Sequence, residues 1–301
     1  MAGPAVGFIG FGEAGFHIAK GLRGAGVDRI VAYDIHTHTP GRGELIQQRA
    51  GESGVALAGS SRELTASCTT LFSTVTASSA FEAAEQTAPF LNARHLYADL
   101  NSVSPATKRS IDKAVRGSGA RFVEGAIMSP VPPHGHRVPI LLGGAGAPEF
   151  REKMTPLGMC LEVLGVDVGR AAAVKMFRSI VVKGLEALLF ECVLGASRYG
   201  AEKRVFDSLG ETFPGIDWDK LANYMVGRAV VHGERRAREM EEVAATLRSL
   251  GIEPLMADAT ARRQDWSAQL GLRDKFGSAG PAGYAEVLRA IEECGSRGVG
   301  A

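Results

Sequence analysis

The feature that most limits what this chain can fold into is a glycine-rich turn near its start. Gly10, Gly12 and Gly15 follow the apolar run Val6–Ile9 with the spacing G-x-G-x-x-G. In a strand that turns into a helix, the first glycine permits the tight turn, the second lets the backbone approach a pyrophosphate, and the third allows close packing of helix on strand. Free N–H groups at the helix N-terminus then face the anion. The segment predicts a strand–turn–helix unit that binds a dinucleotide.

An acidic residue ends the next predicted strand. Ile30–Tyr33 is followed by Asp34, nineteen residues after Gly15, where an acid can accept both hydroxyls of an adenosine ribose. A 2′-phosphate beside Asp34 would meet like-charge repulsion, and the first arginine after it is Arg42. We therefore expect NAD to be favoured as cofactor, with NADP possible because two nearby histidines can accept a phosphate. The alternative is an ordinary glycine-rich turn with a surface aspartate.

The first half of the chain alternates between short apolar runs and amphipathic stretches, which is typical of βαβ units and a parallel sheet. The predicted strands are Val6–Ile9, Ile30–Tyr33, Thr70–Ser73, Leu96–Asp99, Phe122–Glu124 and Ile140–Leu142. The clearest predicted helices between them are Ala14–Arg23, Ser79–Ala88 and Ser104–Ser118.

After about Val168 the strand signals almost vanish. The predicted helices are then Ala171–Tyr199, Trp218–Arg228, Val230–Leu250, Pro254–Leu270 and Tyr284–Glu293. The expected architecture is α/β: a doubly wound, Rossmann-type parallel sheet forms a dinucleotide-binding domain over residues 1–168. An all-helical domain is expected to follow over residues 169–301.

Charge and cysteine usage narrow the function. The 34 basic and 33 acidic residues leave a formal charge of +1, which gives no broad attraction to nucleic acid or to an anionic membrane. No apolar run approaches the roughly 20 residues needed to span a bilayer. The four cysteines lie far apart without a C-x-x-C pair, so they predict free thiols in the cytoplasm rather than a zinc site or a disulfide framework.

Four segments in the order of the chain resemble those of one enzyme family: Gly10–Gly15, Asp99–Pro105, Glu124–Ser129 and Gly169–Lys175. The chain resembles the β-hydroxyacid dehydrogenases, which include 3-hydroxyisobutyrate and 6-phosphogluconate dehydrogenases, and their phosphogluconate-dehydrogenase-like NAD-binding relatives. The resemblance covers nearly the whole chain. It implies hydride transfer between NAD(P) and a small, anionic hydroxy compound, with the active site between the two domains. It also implies that the 6-phosphogluconate-dehydrogenase-like helical domain binds substrate and pairs two chains into a homodimer.

The resemblance also implies which residues contact the cofactor and the substrate. The cofactor set is Gly10, Phe11, Gly12, Glu13, Ala14, Asp34, Thr76 and Asn101. The family's Asp-x-Ser-Thr motif is matched with Asn101 in place of serine and Ser102 in place of threonine. Ser102 and Ser129 are expected to orient the substrate.

The family's catalytic lysine lies in a Lys-x-x-Asn-Asn pattern, which is matched here from Lys175 onward. The lysine is kept, but Arg178 and Ser179 replace the asparagines. The resemblance implies that Lys175 is the general acid/base, while Ser179 and Arg178 contact the substrate. A structural pair between Lys175 and Glu186, on the same side of an apolar helix, is the alternative from the residues alone. Two other functions stay open: imine reduction on this scaffold, and NAD binding without catalysis.

A proline-rich loop, Ser129–Arg137, carries further candidates. His134 and Arg137 are candidates to bind the anionic group of a substrate, because prolines fix where their side chains point. The alternative is a structural turn with solvated histidines. As a metal site, His134-x-His136 has no evident third ligand, so no metal is expected.

Two polar residues continue the apolar stripe of the helix that begins near Val230. His232 and Arg236 precede Met240 by eight and four residues, so both are expected to point inward. They either reach the active site of this subunit or of a partner, or form a buried ion pair with a glutamate. Arg235 and Glu239 are expected to form an ordinary solvated pair.

Overall fold

The computed structural model describes residues 5–277 and 279–297. These residues fall into two compact units that divide between Lys175 and Met176.

The first unit is built on an eight-stranded sheet. Its strands are β1 (Ala5–Ile9), β2 (Arg29–Tyr33), β3 (Ala56–Leu57), β4 (Thr70–Ser73), β5 (Leu96–Asp99), β6 (Arg121–Ile127), β7 (Ile140–Gly143) and β8 (Leu161–Val163). Its helices are α1 (Glu13–Gly24), α2 (Arg42–Ser53), α3 (Ser61–Ser67), α4 (Ala80–Thr87), α5 (Pro105–Arg116), the short α6 (Val131–His134) and α7 (Ala147–Met154).

The strand order is β3-β2-β1-β4-β5-β6-β7-β8, with β6 and β7 antiparallel and the other neighbours parallel. The chain runs outward from β1 to β3 and then returns to place β4 on the other side of β1. This reversal opens a crevice at the carboxyl ends of β1 and β4, which is where doubly wound sheets bind their ligands.

Burial on both faces holds the sheet together. Phe8 of β1 lies beside Phe72 of β4 in the register, and their rings stack with centroids 5.1 Å apart. Both rings belong to the core on one face of the sheet, whereas Ile9 and Leu71 belong to the core on the other. Strands covered on both sides read as continuous apolar runs, which is why these strands are evident in the sequence.

The second unit contains no strand among its described residues. Helix α8 (Arg170–Ser197) crosses the division between the units, and α9 (Glu202–Thr212), α10 (Trp218–Ser249), α11 (Leu255–Gln269), α12 (Leu272–Phe276) and α13 (Tyr284–Arg297) follow. Its core includes Phe190, Val226, Val230 and Val287. None of the helices in the described ranges is long and apolar enough to cross a membrane.

The predicted fold class is confirmed, with two kinds of local correction. The two helices predicted over Trp218–Arg228 and Val230–Leu250 are one helix, α10, because the buried Ala229 between them continues the helix without a break. The prediction missed strands β3 and β8, and helices α2, α3, α6, α7, α9 and α12. The two missed strands have only two and three residues, which is too short for a periodic pattern.

Candidate functional site

The glycine turn after β1 has the geometry that its spacing predicts. Gly10 has φ +81°, and a Cβ there would lie 2.9 Å from the Thr74 carbonyl oxygen. A Cβ on Gly15 would lie 2.7 Å from Thr74 Oγ1, whose hydroxyl donates to the Gly10 carbonyl over 2.7 Å. By contrast, a Cβ on Gly12 would meet no atom within 4 Å. Two glycines are thus required by packing, and the third leaves the front of α1 open.

Asp34 is fixed by two backbone N–H groups. Its Oδ2 accepts from the Phe11 N–H over 2.8 Å, and its Oδ1 accepts from the His36 N–H over 2.9 Å. These bonds join the glycine turn to the segment after β2 and hold the carboxylate in one orientation. Each carboxylate oxygen can accept a further hydrogen bond, so Asp34 can still receive the hydroxyls of a ribose.

A cavity of about 570 Å³ opens between the glycine turn, the ends of β1 and β2, and the helices α2 and α4. Six of the eight predicted cofactor residues line it: Gly10, Gly12, Glu13, Ala14, Asp34 and Thr76. The lining also includes residues that were not predicted to contact the cofactor: Arg42, Leu45, Ile46, Arg49, Thr74 and Gln86. Phe11 contributes its N–H to Asp34 while its ring is buried in the core.

Asn101, the remaining predicted cofactor residue, lies beyond β5 and not on the cavity wall. Its amide nitrogen donates to Ser73 Oγ over 2.9 Å and to the Asp99 carboxylate. Lys108 holds Asp99 in turn, with Nζ 2.6 Å from Oδ2 and 2.7 Å from the carbonyl oxygen. Asn101 Oδ1 is buried and has no partner among the described residues. It is therefore an oriented acceptor at the carboxyl edge of the sheet.

The first turn of α8 is anchored to β6 by Glu124. This fully buried carboxylate accepts from the Gly169 N–H at Oε2 and from the Ala172 N–H at Oε1, both over 2.7 Å. The first N–H groups of a helix have no partner within the helix, and a carboxylate is favoured there by the helix dipole. Lys175, partly exposed, follows Ala172 by three residues. Sequence reasoning missed this role of Glu124.

The predicted substrate residues of the first unit differ in exposure. Ser102, His134 and Arg137 are exposed, and Ser129 is partly exposed. His136, in contrast, is buried against Gly21 of α1. Burial lowers the pKa of His136, and Arg137 lowers it further. Within the described ranges, no group of three or more His, Cys, Asp or Glu residues is placed to hold a metal ion.

In the helical unit, Arg236 belongs to a buried ion pair. Its Nη1 lies 2.7 Å from Glu186 Oε2, and these side chains are 4% and 0% exposed. Gln264 Nε2 donates to the same oxygen over 3.2 Å, and Arg228 Nε lies 3.4 Å from Glu186 Oε1. The described partners of Glu186 thus include Arg228, Arg236 and Gln264. Of the two roles expected for Arg236 from the sequence, the structure shows the buried ion pair with a glutamate.

Other polar residues lie on the same two helices as this pair, α8 and α10. His232 is half-buried, and burial lowers its pKa. Arg235 and Glu239 form the predicted surface pair over 2.5 Å. Glu239 also accepts from the buried Lys183 over 2.6 Å. Arg178 is exposed and Ser179 partly exposed on α8.

Comparison with known proteins identifies the family. The family model for the NAD binding domain of 6-phosphogluconate dehydrogenase matches residues 5–137, and a domain of unknown function, DUF1932, matches residues 196–267. A conserved hypothetical protein from Sinorhizobium meliloti 1021 is 36% identical, with a TM-score of 0.81 over 98% of this chain and 97% of its own. The conserved protein MTH1747, described as structurally similar to 3-hydroxyacid dehydrogenases, is 33% identical, with a TM-score of 0.75 over 89% of this chain and 98% of its own.

The chain belongs to the β-hydroxyacid dehydrogenase family. The 3-hydroxyisobutyrate dehydrogenase of Mycobacterium tuberculosis shares the fold at 16% identity, with a TM-score of 0.70 over 89% of this chain and 94% of its own. The family resemblance stated from the sequence motifs is confirmed, and with it an NAD(P)-binding first domain.

The residues of this family member fit an NAD(P) cofactor. The open space in front of Gly12 suits a pyrophosphate, and Asp34 has acceptor capacity left for a ribose. Sequence reasoning missed Arg42 and Arg49, although their spacing of seven residues on α2 is a signal for one helix face. Nothing in the sequence indicates that Glu124 caps α8, because the N–H groups that donate to it lie 45 and 48 residues further along the chain.

Proposed function

We propose that the protein is an NAD(P)-dependent dehydrogenase that oxidises a small, anionic hydroxy compound of the β-hydroxy acid type, with NAD preferred. The observation that carries the proposal is the anchoring of α8 by Glu124, which fixes the helix turn that bears Lys175. A general acid/base must be held in place to act on one hydroxyl. The family keeps a lysine at this position.

The dinucleotide would be held by the groups around the cavity. N–H groups at the start of α1 would bind the pyrophosphate, Asp34 would accept the ribose hydroxyls, and Thr76 lines the cavity. When bound, the nicotinamide ring supplies the hydride acceptor for oxidation and the hydride donor for reduction. Asp34 favours NAD, because its carboxylate bonds free hydroxyls and repels a 2′-phosphate.

Lys175 would move the proton of the reaction. As a neutral amine, its Nζ accepts the proton of the substrate hydroxyl while the carbinol carbon gives up its hydride. In the reverse direction the ammonium returns the proton. Ser102, Ser129 and Ser179 are the proposed hydroxyl donors that orient the substrate, and His134, Arg137, Arg178 or His232 would bind its negative group. Arg236 is not among the proposed substrate residues, because it pairs with Glu186.

We further propose a cytoplasmic homodimer that pairs through α8. Val174, Val181 and Leu188 are spaced by seven residues and are 43%, 70% and 57% exposed. They therefore form an apolar stripe on one face of the helix. The cytoplasm is supported by four cysteines that are all free thiols.

A substrate panel tests this function. Purified protein is assayed with NAD and NADP against short β-hydroxy acids and sugar acids, and with NADH and NADPH against cyclic imines. We expect turnover of a hydroxy acid that is lost in Lys175→Ala and kept in Lys203→Ala, a control lysine that is 88% exposed. Turnover of imines alone would support an imine reductase instead. Tight NADH binding without any turnover would support a non-catalytic sensor.

A further inference from the structure

Helix α2 presents one face to the cofactor cavity. Arg42, Leu45, Ile46 and Arg49 all line it, at positions i, i+3, i+4 and i+7, which share one side of a helix. The wall is therefore apolar in its middle and carries a guanidinium at each end. The proposed hydride transfer uses neither arginine.

A contact with His36, in the segment after β2, orients the Arg42 guanidinium. Its Nη1 lies 3.3 Å from His36 Nε2. An arginine can only donate, so His36 Nε2 is the acceptor, and the ring proton lies on Nδ1, which is 3.3 Å from Thr39 Oγ1. The His36 N–H donates to Asp34 Oδ1 over 2.9 Å. A continuous chain of contacts thus connects Arg42 through His36 to Asp34.

We propose that Arg42 is a specificity residue that binds the 2′-phosphate of NADP(H), so that the protein uses both dinucleotides. Arginine has five N–H donors in a planar fork that suits a phosphate, and the contact with His36 uses one of them. The inference rests on the proposed function, and it sets a limit on the preference for NAD.

Asp34 does not exclude this second role. Each of its carboxylate oxygens already accepts a backbone N–H, and these dipoles offset part of the negative charge that a 2′-phosphate would meet. Arg49 adds a second positive charge on the same wall of the cavity. Asp34 therefore makes NADH bind more tightly than NADPH, and Arg42 limits the difference between the two affinities.

The test compares ligands with and without the 2′-phosphate. Dissociation constants are measured by fluorescence for NADH and NADPH, and by calorimetry for 5′-AMP and adenosine 2′,5′-bisphosphate. The proteins are wild type, Arg42→Ala, and Arg29→Ala as a control, because Arg29 is exposed at the opposite end of β2. A charge-assisted bond is worth about 1.5–3 kcal/mol. We expect Arg42→Ala to weaken NADPH and the bisphosphate about tenfold to a hundredfold, with NADH, 5′-AMP and the Arg29 variant nearly unchanged.

Three results would overturn the inference. The first is NADPH affinity that Arg42→Ala leaves unchanged. The second is an equal loss for NADH and NADPH, which would make Arg42 a general contact of the nucleotide. The third is wild-type protein that binds NADH but not NADPH, which leaves the proposed function standing. If neither dinucleotide binds, the proposed function fails together with the inference.

Discussion

The Glu124 carboxylate lies 2.7 Å from the Ala172 N–H, and this bond ties strand β6 to the first turn of α8. A second bond of the same length joins Glu124 to the Gly169 N–H. The start of α8 is thus capped by a residue from the sheet. The position of Lys175, three residues further on, depends on that strand.

Glu124→Gln is expected to destabilise the protein and to lower turnover. The amide keeps one acceptor oxygen but turns an NH₂ group toward a backbone donor, so we expect the free energy of unfolding to fall by about 1.5–3 kcal/mol. NADH affinity should change little, because the cavity is lined by other residues. Urea unfolding, NADH titration and turnover on the same samples measure this. Glu162→Gln, on the exposed side of β8, is the control, and equal stability of the two variants would contradict the capping role.

Some elements could be predicted to the residue. Strands β4 and β5 were expected over Thr70–Ser73 and Leu96–Asp99, and the structure has them there. Both are buried on both faces, so their apolar runs begin and end with the strand itself. Strand β3 has only Ala56 and Leu57, and its pairing with β2 is a tertiary contact without a local signal.

The residues of the candidate site also divide into those that have a local signal in the sequence and those that do not. The glycine turn and Asp34 could be predicted because the chemistry of a dinucleotide fixes their spacing. Glu124 could not, since a glutamate within a predicted strand looks the same whether or not it caps a distant helix. The partner of Arg236 was also beyond the sequence: a glutamate was expected in general, but Glu186 lies fifty residues away.

Asp34→Ala is expected to narrow the preference for NADH over NADPH. In the wild type, NADH should bind more tightly, because the carboxylate bonds the ribose hydroxyls. The substitution removes bonds worth about 1.5–3 kcal/mol together with the repulsion of a 2′-phosphate. Fluorescence titration of both cofactors measures the gap, with Asp28→Asn, an exposed residue before β2, as the control. A wild-type protein that prefers NADPH would show that Asp34 does not read the ribose as proposed.

Removing one partner of the Glu186–Arg236 pair should cost far more stability than removing both. Glu186→Ala leaves a buried guanidinium unpaired, so we expect a loss of about 3–5 kcal/mol in the free energy of unfolding. The double variant Glu186→Leu, Arg236→Leu should recover most of it, while Arg228, 28% exposed, can turn to solvent. Glu241→Ala, from the exposed pair with Arg238, should change stability by only about 0–1 kcal/mol. Additive losses in the double variant would rule out this coupling.

His136 is expected to make the protein less stable at acidic pH. Burial lowers its pKa in the folded state, so the unfolded chain binds this proton more readily than the folded protein does. The contribution of neutral, buried His136 to the free energy of unfolding is complete above the unfolded pKa of about 6.5. It is lost as the pH falls below that value toward the folded-state pKa. Unfolding free energies between pH 8 and pH 5 should therefore fall more steeply for wild type than for His136→Gln. His134→Gln, at an exposed position, should keep the wild-type slope, and identical slopes in all three proteins would contradict the assignment.

Lys175 separates the proposed dehydrogenase from its alternatives. If Lys175 moves the hydroxyl proton, Lys175→Ala should lower turnover by roughly 10²–10⁴-fold while NADH affinity stays close to wild type. Lys175→Arg should rescue little, because a guanidinium does not release its proton at working pH. A structural role predicts the opposite pattern: a lower melting temperature with turnover per folded molecule preserved. Melting curves and turnover on the same samples distinguish the two roles, and an active Lys175→Ala enzyme would end the hydroxy-acid mechanism in favour of imine reduction.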